Sequence, residues 1–526
     1  MSNQQRRTSA WVLAAALCFA AVLAAAQSTT PRAQLAAPQT SQPTDSAKIT
    51  SEQAKQLFSL VNELIKFSSD ETGLPIKATV KRQIISRDAV EKNLKEKFDE
   101  DDSTKRLQQS EIVLKKFGLL DRDFALKPFL LALLKEQIEA YYEPKTKTVY
   151  LLDWVDAEEQ KPVLAHELTH ALQDQHSDLT KWNDQTPDEV SHNYAEDVDH
   201  VNRDEMDTAR EAVVEGQATA VMMDYILKPM GKSLVKDPEV IDAVGQQLNS
   251  AANSPVLSRA PLLLAESMLF PYREGLGFEQ DVWMDQGQAA AFTGTLDHPP
   301  TSSWEILNPR EYEMRHAPSV PLIPNIHPLV DPLYKPYDIG QIGQLDLRIL
   351  VQLFGGEQAA SRLTPAWDGG MYWAGQLLSA KTEAAKARTD SLAIFYLSSW
   401  KNAASAQSFA ELYANELRRK YDRVQLEASD KQAASSSADQ EMVYSTNEGP
   451  VLITIRGKRV FVAESFPLDV ARKLSKLVLD AQGTGEVKMA VAQPIPESLS
   501  AGWIRFFADC GVMKAAVEAE MKAATK

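Results

Sequence analysis

The strongest constraint on this chain is the sequence His-Glu-Leu-Thr-His at residues 166–170, an HExxH pattern inside the otherwise uncharged stretch 163–172. Two histidines four residues apart lie one turn apart on the same face of an α-helix, so both imidazoles can reach one ion. Neutral imidazole suits zinc, and zinc lowers the pKa of a water that it binds to about 7. Glu167 is then placed to take a proton from that water as general base. The pattern therefore predicts Zn²⁺ held by His166 and His170.

An ordinary core helix is the alternative interpretation of this stretch. The chain has 8 histidines, so an HExxH pattern is unlikely to arise by composition alone. A core helix would also bury two imidazoles and a carboxylate without partners, which is costly. We therefore favour the metal site.

The N-terminus has the organisation of a secretory signal. Arg6 and Arg7 precede an apolar run at residues 11–26, which ends in three alanines. This predicts a signal peptide over residues 1–26, cleaved after Ala26, and an extracytoplasmic (periplasmic or secreted) protein. The run is shorter than the roughly 20 residues of a spanning helix, so we expect no stable membrane span after cleavage. Residues 27–48 are rich in Gln, Ser, Thr and Pro and are predicted to be a disordered linker.

Cysteine content and charge narrow the class of protein further. The two cysteines are Cys18 and Cys510, and cleavage of the signal would leave only Cys510, so we expect no intramolecular disulfide. The formal net charge is −16, which argues against nucleic acid and anionic membrane surfaces as partners. About 500 remaining residues are enough to bury a large core.

Hydrophobic periodicity predicts an α+β fold. We expect a mostly helical, zincin-like catalytic domain with a small sheet over residues 49–338, and a smaller α/β region over 339–526. Helices are predicted at 51–65, 89–98, 107–117, 128–140, 203–227, 345–353, 409–421, 468–479 and 512–524, with mostly helical structure over 237–290. Strands are predicted at 79–85 and 391–400, and hairpins at 141–152 and 451–463. Irregular segments are predicted at 174–200, 299–337 and 430–440.

The hairpin at 141–152 directly precedes the HExxH helix. Its edge could pair with an extended peptide by strand addition, or it could be an ordinary sheet strand. Trp367, Trp373 and Trp400 could line a binding surface, although we favour buried packing for them.

A catalytic zinc needs a third protein ligand, and two residues compete for that role. His176 stands where the third histidine of the metzincin pattern HExxHxxGxxH falls, but Gln173 occupies the glycine position and makes the required turn harder. Glu215 lies on the predicted helix 203–227, next to Gly216, whose small size permits close helix approach. We favour Glu215, with Glu211 as an alternative ligand or as a partner that orients a histidine.

The sequence His-Glu-Leu-Thr-His-Ala-Leu-Gln-Asp-Gln-His, followed by Val-Glu-Gly-Gln-Ala-Thr, resembles a group of secreted bacterial gluzincin-type metallopeptidases, most of them uncharacterised. The pre-helix hairpin and the segments 270–275 and 299–309 resemble further elements of that group. The resemblance implies zinc on His166, His170 and Glu215, with Glu167 as base. The group has a histidine where this chain has Asn308, so a role for that position in substrate binding is in doubt.

These features together predict an exported zinc metallopeptidase that acts on a peptide or protein substrate. Candidates for stabilising the oxyanion are His298, Tyr272, Arg273 and Tyr312, each of which could equally be structural. One rival is a hydrolase of non-peptide amides. The other is an envelope binding or scaffold protein whose zinc site is structural or inactive.

Overall fold

A computed structural model describes residues 50–90, 92, 102–136, 140–155, 158, 160–183, 190–238, 255–427 and 439–482. The predicted signal peptide 1–26, the linker 27–48 and the helix 512–524 lie outside these residues, as do most of the predicted helix 89–98 and of the segment 430–440. The α+β class is confirmed by a largely helical N-terminal part with a small sheet, followed by a larger sheet.

Helices dominate the described residues as far as residue 330. The principal ones are, in order, α1 (Ser51–Thr72), α2 (Asp102–Phe117), α3 (Leu126–Glu136), α4 (Lys161–Ser177), α5 (Leu179–Asn183), α6 (Tyr194–Arg203), α7 (Met206–Leu227), α8 (Leu262–Gln286), α9 (Ser303–Leu307), α10 (Pro309–Glu313) and α11 (His327–Val330). Strands β1 (Lys81–Ile85), β2 (Tyr141–Glu143) and β3 (Thr148–Leu152) form a small sheet of order β1-β3-β2. The predicted hairpin is confirmed, because β2 and β3 pair antiparallel.

Local sequence explains where the two central helices begin and end. Helix α4 starts at a proline-containing first turn, a position that tolerates proline, and it ends at Asp178 in the left-handed conformation. It is buried over 162–174, so its apolar residues contact neighbours on every side. Helix α7 is nearly as buried and packs between α4 and α8.

Close backbone contact fixes the crossing of α7 and α8. A Cβ atom on Gly216 would overlap the backbone of Gly275, and a Cβ atom on Gly275 would overlap the carbonyl of Ala212. The prediction that Gly216 permits a close helix approach is confirmed, although the tightest contact is with α8 and not with the HExxH helix.

Residues 334–481 build a seven-stranded antiparallel sheet of order β4-β5-β6-β10-β9-β8-β7. Its strands are β4 (Tyr334–Gln341), β5 (Trp367–Leu377), β6 (Leu392–Trp400), β7 (Val424–Leu426), β8 (Asp439–Thr446), β9 (Gly449–Arg456) and β10 (Arg459–Glu464). The accompanying helices are α12 (Gln344–Leu363), α13 (Glu383–Lys386), α14 (Ala403–Lys420) and α15 (Leu468–Ala481).

Helices cover both faces of this sheet. Alternate residues of β6 serve different cores: Tyr396 packs with Phe409 of α14, and Phe395 packs in the cluster that contains Leu474 of α15. Burial on both faces explains the continuous apolar sequence of β6. Trp367, Trp373 and Trp400 are all buried, so they serve packing, as favoured above.

Two predicted irregular segments are wrong in part. Residues 174–200 contain the end of α4, all of α5 and most of α6, with 184–189 outside the described residues. Their polar composition concealed helices that expose much of their surface. Residues 299–337 contain α9, α10, α11 and the start of β4, because prolines fall in the first turn of α10 and α11, where they are tolerated.

The predicted boundary near residue 339 falls inside β4. Leu164 and Leu168 of α4 belong to the same hydrophobic cluster as Tyr396 of β6, so apolar packing continues across it. Whether parts 49–338 and 339–526 fold independently stays a prediction.

Within the part of the chain that the structure describes, no helix combines the length and apolar character needed to cross a bilayer.

The contact between α7 and α8 predicts opposite effects for two glycines of the same helix. Gly275→Ala should lower the free energy of unfolding by about 1–3 kcal/mol, because its methyl group overlaps the backbone of α7. Gly277→Ala is the matched control: its Cβ meets no atom within 4 Å, so alanine should stabilise the helix by about 0.5–1 kcal/mol. Denaturant unfolding of both variants checks this. Equal effects of the two substitutions would contradict the close crossing.

Candidate metal centre

Three buried side chains from two helices converge at one point. Nε2 of His166 lies 3.0 Å from Oε2 of Glu215, and Nε2 of His170 lies 3.4 Å from Oε1 of the same carboxylate. One ligand atom from each of the three residues lies within 4.8 Å of the others. The helical spacing of His166 and His170 and the α4–α7 packing together produce this cluster, so it could hold a metal ion.

The hydrogen bonds of His170 favour a metal ligand. Nδ1 of His170 lies 2.9 Å from Oε1 of Gln173, whose amide nitrogen donates to the carbonyl of Val214 and to Oε1 of Gln217. The amide oxygen of Gln173 is therefore an acceptor, and Nδ1 of His170 carries the proton. Nε2 is left with its lone pair towards Glu215, and this buried nitrogen makes no hydrogen bond. Such an arrangement is typical of a histidine that is oriented for a metal.

A buried chain of amides supports this histidine. Nε2 of Gln217 lies within hydrogen-bond distance of the carbonyls of Ala291 and Phe292 and of the Thr295 hydroxyl. In the sequence, Gln173 stands out only as an obstacle to the metzincin turn, and no motif indicates Gln217. The available signal was their placement: Gln173 lies three residues after His170, and Gln217 lies two residues after Glu215.

The carboxylate of Glu215 lies between two imidazoles that can carry a positive charge. Burial raises the pKa of Glu215, but His170 and His166, when protonated, outweigh burial and hold that pKa well below its usual range. Tyr272, whose ring stacks on His166 at 6.3 Å between centroids, has its pKa raised well above its ordinary value by burial and by the carboxylates of Glu215, Glu211 and Glu167. Its hydroxyl therefore stays protonated at neutral pH.

Glu167 is held by the hairpin that precedes its helix. The backbone N–H of Tyr142 donates to Oε2 of Glu167 at 2.6 Å, and the Tyr142 hydroxyl donates to Asp174 at 2.6 Å. Because β2 is the edge strand of the small sheet, its outer side faces the catalytic glutamate predicted from the sequence. Lys147 also pairs with Asp174, which fastens the hairpin to the far end of α4.

His176 does not join the cluster. Helix α4 continues through Gln173 to Ser177, and Nε2 of His176 lies 2.9 Å from Asp297. In the metzincin pattern a turn at the glycine brings the third histidine back to the metal. The described residues 161–177 form one continuous helix and make no such turn. Glu211, the other alternative, is buried one turn before Glu215 but is not among the three converging ligands.

Only one of the four candidate oxyanion donors, Tyr272, lies against the cluster. Arg273 pairs with Glu266 and Glu274, and the Tyr312 hydroxyl donates to the carbonyl of His298, whose side chain is exposed. These three residues therefore serve other parts of the fold.

The questioned position Asn308 has a structural explanation. Its side-chain amide donates to the carbonyl of Trp304 and to the Gln344 side chain, where α9 meets α12.

Replacement of Gln173 tests the orientation of His170. In Gln173→Leu, the Nδ1–H of His170 loses its acceptor, so the imidazole should no longer be fixed as the Nδ1–H tautomer, and the free energy of unfolding should fall by about 1–3 kcal/mol. Nitrogen-15 NMR of the histidine rings checks the tautomer. Gln175→Leu is the matched control, because Gln175 bonds to the backbone of Lys77 and Ala78 and not to a histidine. An unchanged His170 tautomer in Gln173→Leu would contradict the assignment.

Comparisons with known proteins add no relative: no family model, no curated protein and no solved structure matches the chain. The resemblance to gluzincin-type metallopeptidases therefore stays a prediction.

Proposed function

We propose that this chain is an exported, zinc-dependent metallopeptidase that hydrolyses peptide bonds with Glu167 as general base. The observation that carries the proposal is the convergence of His166, His170 and Glu215 on one buried point, beside a glutamate that directly follows the first histidine. The predicted signal peptide supports export.

The donor set supports zinc of the catalytic type. Two imidazoles and one carboxylate leave a fourth position open, whereas structural zinc sites are usually closed by four ligands that include cysteines. The cluster among the described residues has three ligand residues and no thiol. When bound there, zinc would act as a Lewis acid that acidifies water and polarises a carbonyl group.

Glu167 and Tyr272 supply the remaining chemical groups. Glu167 accepts a proton from the attacking water and passes it to the leaving amine nitrogen. The hydrogen bond that Glu167 accepts from the Tyr142 N–H holds its side chain on the hairpin side of α4. The protonated Tyr272 hydroxyl is the donor best placed to stabilise the developing oxyanion.

The position of β2 supports a peptide as the substrate. An edge strand can pair with an extended chain, and the outer side of β2 faces Glu167. The Tyr142 N–H donates to Glu167 in this structure, so it would pair with a substrate only after Glu167 turns towards the attacking water. A peptide paired there would bring a carbonyl carbon near the cluster. A non-peptide amide could not use this strand, so we favour peptides over the rival amide hydrolase.

The burial of the site favours a second candidate function. His166 and Glu167 are both 0% exposed, so a peptidase must move its covering elements before substrate enters. A binding or scaffold protein with a structural zinc would need no such opening. The intact Glu167 favours the enzyme, because a structural site has no use for a base.

Metal content tests the ligand set. The purified chain should hold one zinc at this centre, which His166→Ala and Glu215→Ala each abolish because two ligands bind too weakly. His176→Ala is the matched control on the same helix, since that histidine pairs with Asp297, and it should keep the zinc. Elemental analysis by mass spectrometry provides the measurement. Loss of this zinc in His176→Ala and its retention in Glu215→Ala would contradict the assignment.

Replacement of Glu167 separates the two candidate functions. Glu167→Gln keeps the shape of the side chain but removes the base, so peptide cleavage should fall by at least about 10²–10⁴-fold while zinc content stays unchanged. Cleavage of a defined peptide library, followed by mass spectrometry, provides the rate. Zinc-dependent cleavage that survives in Glu167→Gln would refute the role of this residue. A zinc-loaded wild type with no cleavage would favour the binding or scaffold protein.

A further inference from the structure

We propose that the chain has a second divalent metal site, formed by His192, His327 and Asp331, at a cleft that none of the residues of the first cluster lines. The metal would be a first-row transition ion such as zinc, because imidazole suits such ions better than it suits calcium or magnesium. This inference does not rest on the proposed peptidase activity.

The three side chains lie close enough together to share one metal ion. Asp331 lies between the two histidines: one carboxylate oxygen is 3.1 Å from Nδ1 of His192, and the other is 3.1 Å from Nδ1 of His327. One ligand atom from each residue lies within 4.8 Å of the others, as in the first cluster. His327 and Asp331 are one helical turn apart at α11, so they present their ligand atoms to the same side.

The three side chains differ in their exposure to solvent. The side chain of His327 is 9% exposed, that of Asp331 is 33% exposed and that of His192 is 56% exposed. All three line one cleft of about 800 Å³. A metal ion bound there would therefore keep water in its remaining coordination positions and would exchange with solvent.

A buried carboxylate behind His327 supports a metal ligand at this position. Oδ2 of Asp197, in helix α6, lies 3.0 Å from Nε2 of His327, and Asp197 is 2% exposed. The two atoms do not meet hydrogen-bond geometry, so the carboxylate acts on the ring electrostatically, as an acidic group close behind a metal-binding imidazole would. The other ring nitrogen of His327, Nδ1, faces Asp331 and His192.

Simple ion pairing does not account for this arrangement as well. A surface pair of His192 and Asp331 would contribute little to stability, because solvent screens exposed ion pairs. One carboxylate lies within hydrogen-bond distance of two imidazoles, and a further buried carboxylate lies behind one of them; metal sites use the same combination of groups. The site would join the segment before α6 to α11, and thereby connect the helical part of the chain to the start of the large sheet.

Zinc stoichiometry of the full mature chain tests the site. After equilibrium dialysis against buffered free zinc, the wild type should bind one equivalent more than the first cluster provides. His192→Ala and Asp331→Asn should each lose this equivalent, whereas His166→Ala should keep it. His192→Ala is the decisive variant, because the exposed side chain of His192 can be removed without opening the core.

Two further variants sharpen the test. His316→Ala is the matched control, because exposed His316 pairs with Glu311 at 2.7 Å but has no second histidine beside it, and it should bind as much zinc as wild type. Asp197→Asn should weaken the second equivalent about 10–100-fold without removing it. Circular dichroism establishes that each variant is folded.

The outcomes separate this site from the first. An extra equivalent that depends on His192 and Asp331 supports the proposal, even if the His166 cluster binds nothing. Retention of all zinc in His192→Ala, equal loss in His316→Ala, or preferential binding of calcium at the same residues would overturn it.

Discussion

The candidate centre depends on how closely α7 approaches its two neighbours. Gly216 meets Gly275 backbone to backbone, and Glu215 directly precedes Gly216 in the sequence. The contact that seats α7 against α8 therefore also sets the depth of Glu215 relative to the histidines of α4. Tyr272 lies one turn before Gly275, so the same crossing places its ring on His166. A shift of about 1 Å at this crossing would separate ligands that are now 3.0 and 3.4 Å apart.

Burial of so many polar groups is costly, and the surrounding structure offsets that cost. Gln173 and Gln217 connect His170 to backbone carbonyls near residue 291, and Tyr142 bonds to Glu167 from the hairpin. These hydrogen bonds do not satisfy Nε2 of His170, which makes no hydrogen bond and faces the carboxylate of Glu215. In the proposed function, zinc is the group that satisfies it. His166 and Glu167 are fully buried, so catalysis in the proposed function would require an element that covers them to move.

The elements that sequence analysis predicted correctly are those with a local signal. The histidines of HExxH are neighbours on one helix turn, and β6, the β2–β3 hairpin and the β9–β10 hairpin each have a short-range pattern. The choice of Glu215 depended on the small residue beside it, Gly216, and on the family resemblance. No short-range pattern indicates that a residue 45 positions after His170 shares its site. The prediction that Gln173 disfavours the metzincin turn is confirmed, because α4 continues through it to Ser177. Its hydrogen bond to His170 was not predicted, because its other partners lie on α7 and its role appears only once α4 and α7 are packed. Strands β5 and β8 were missed because glycines and polar residues interrupt their periodicity, and sheet pairing is what holds them.

The central claim is that His166, His170 and Glu215 share one zinc ion. Anomalous X-ray scattering at the zinc absorption edge, from crystals of the purified chain, tests it most directly. The account predicts a peak within about 2.0–2.2 Å of Nε2 of both histidines and of an oxygen of Glu215. A peak bonded to His176 in place of Glu215, or zinc-loaded crystals with no peak between these three residues, would contradict the account.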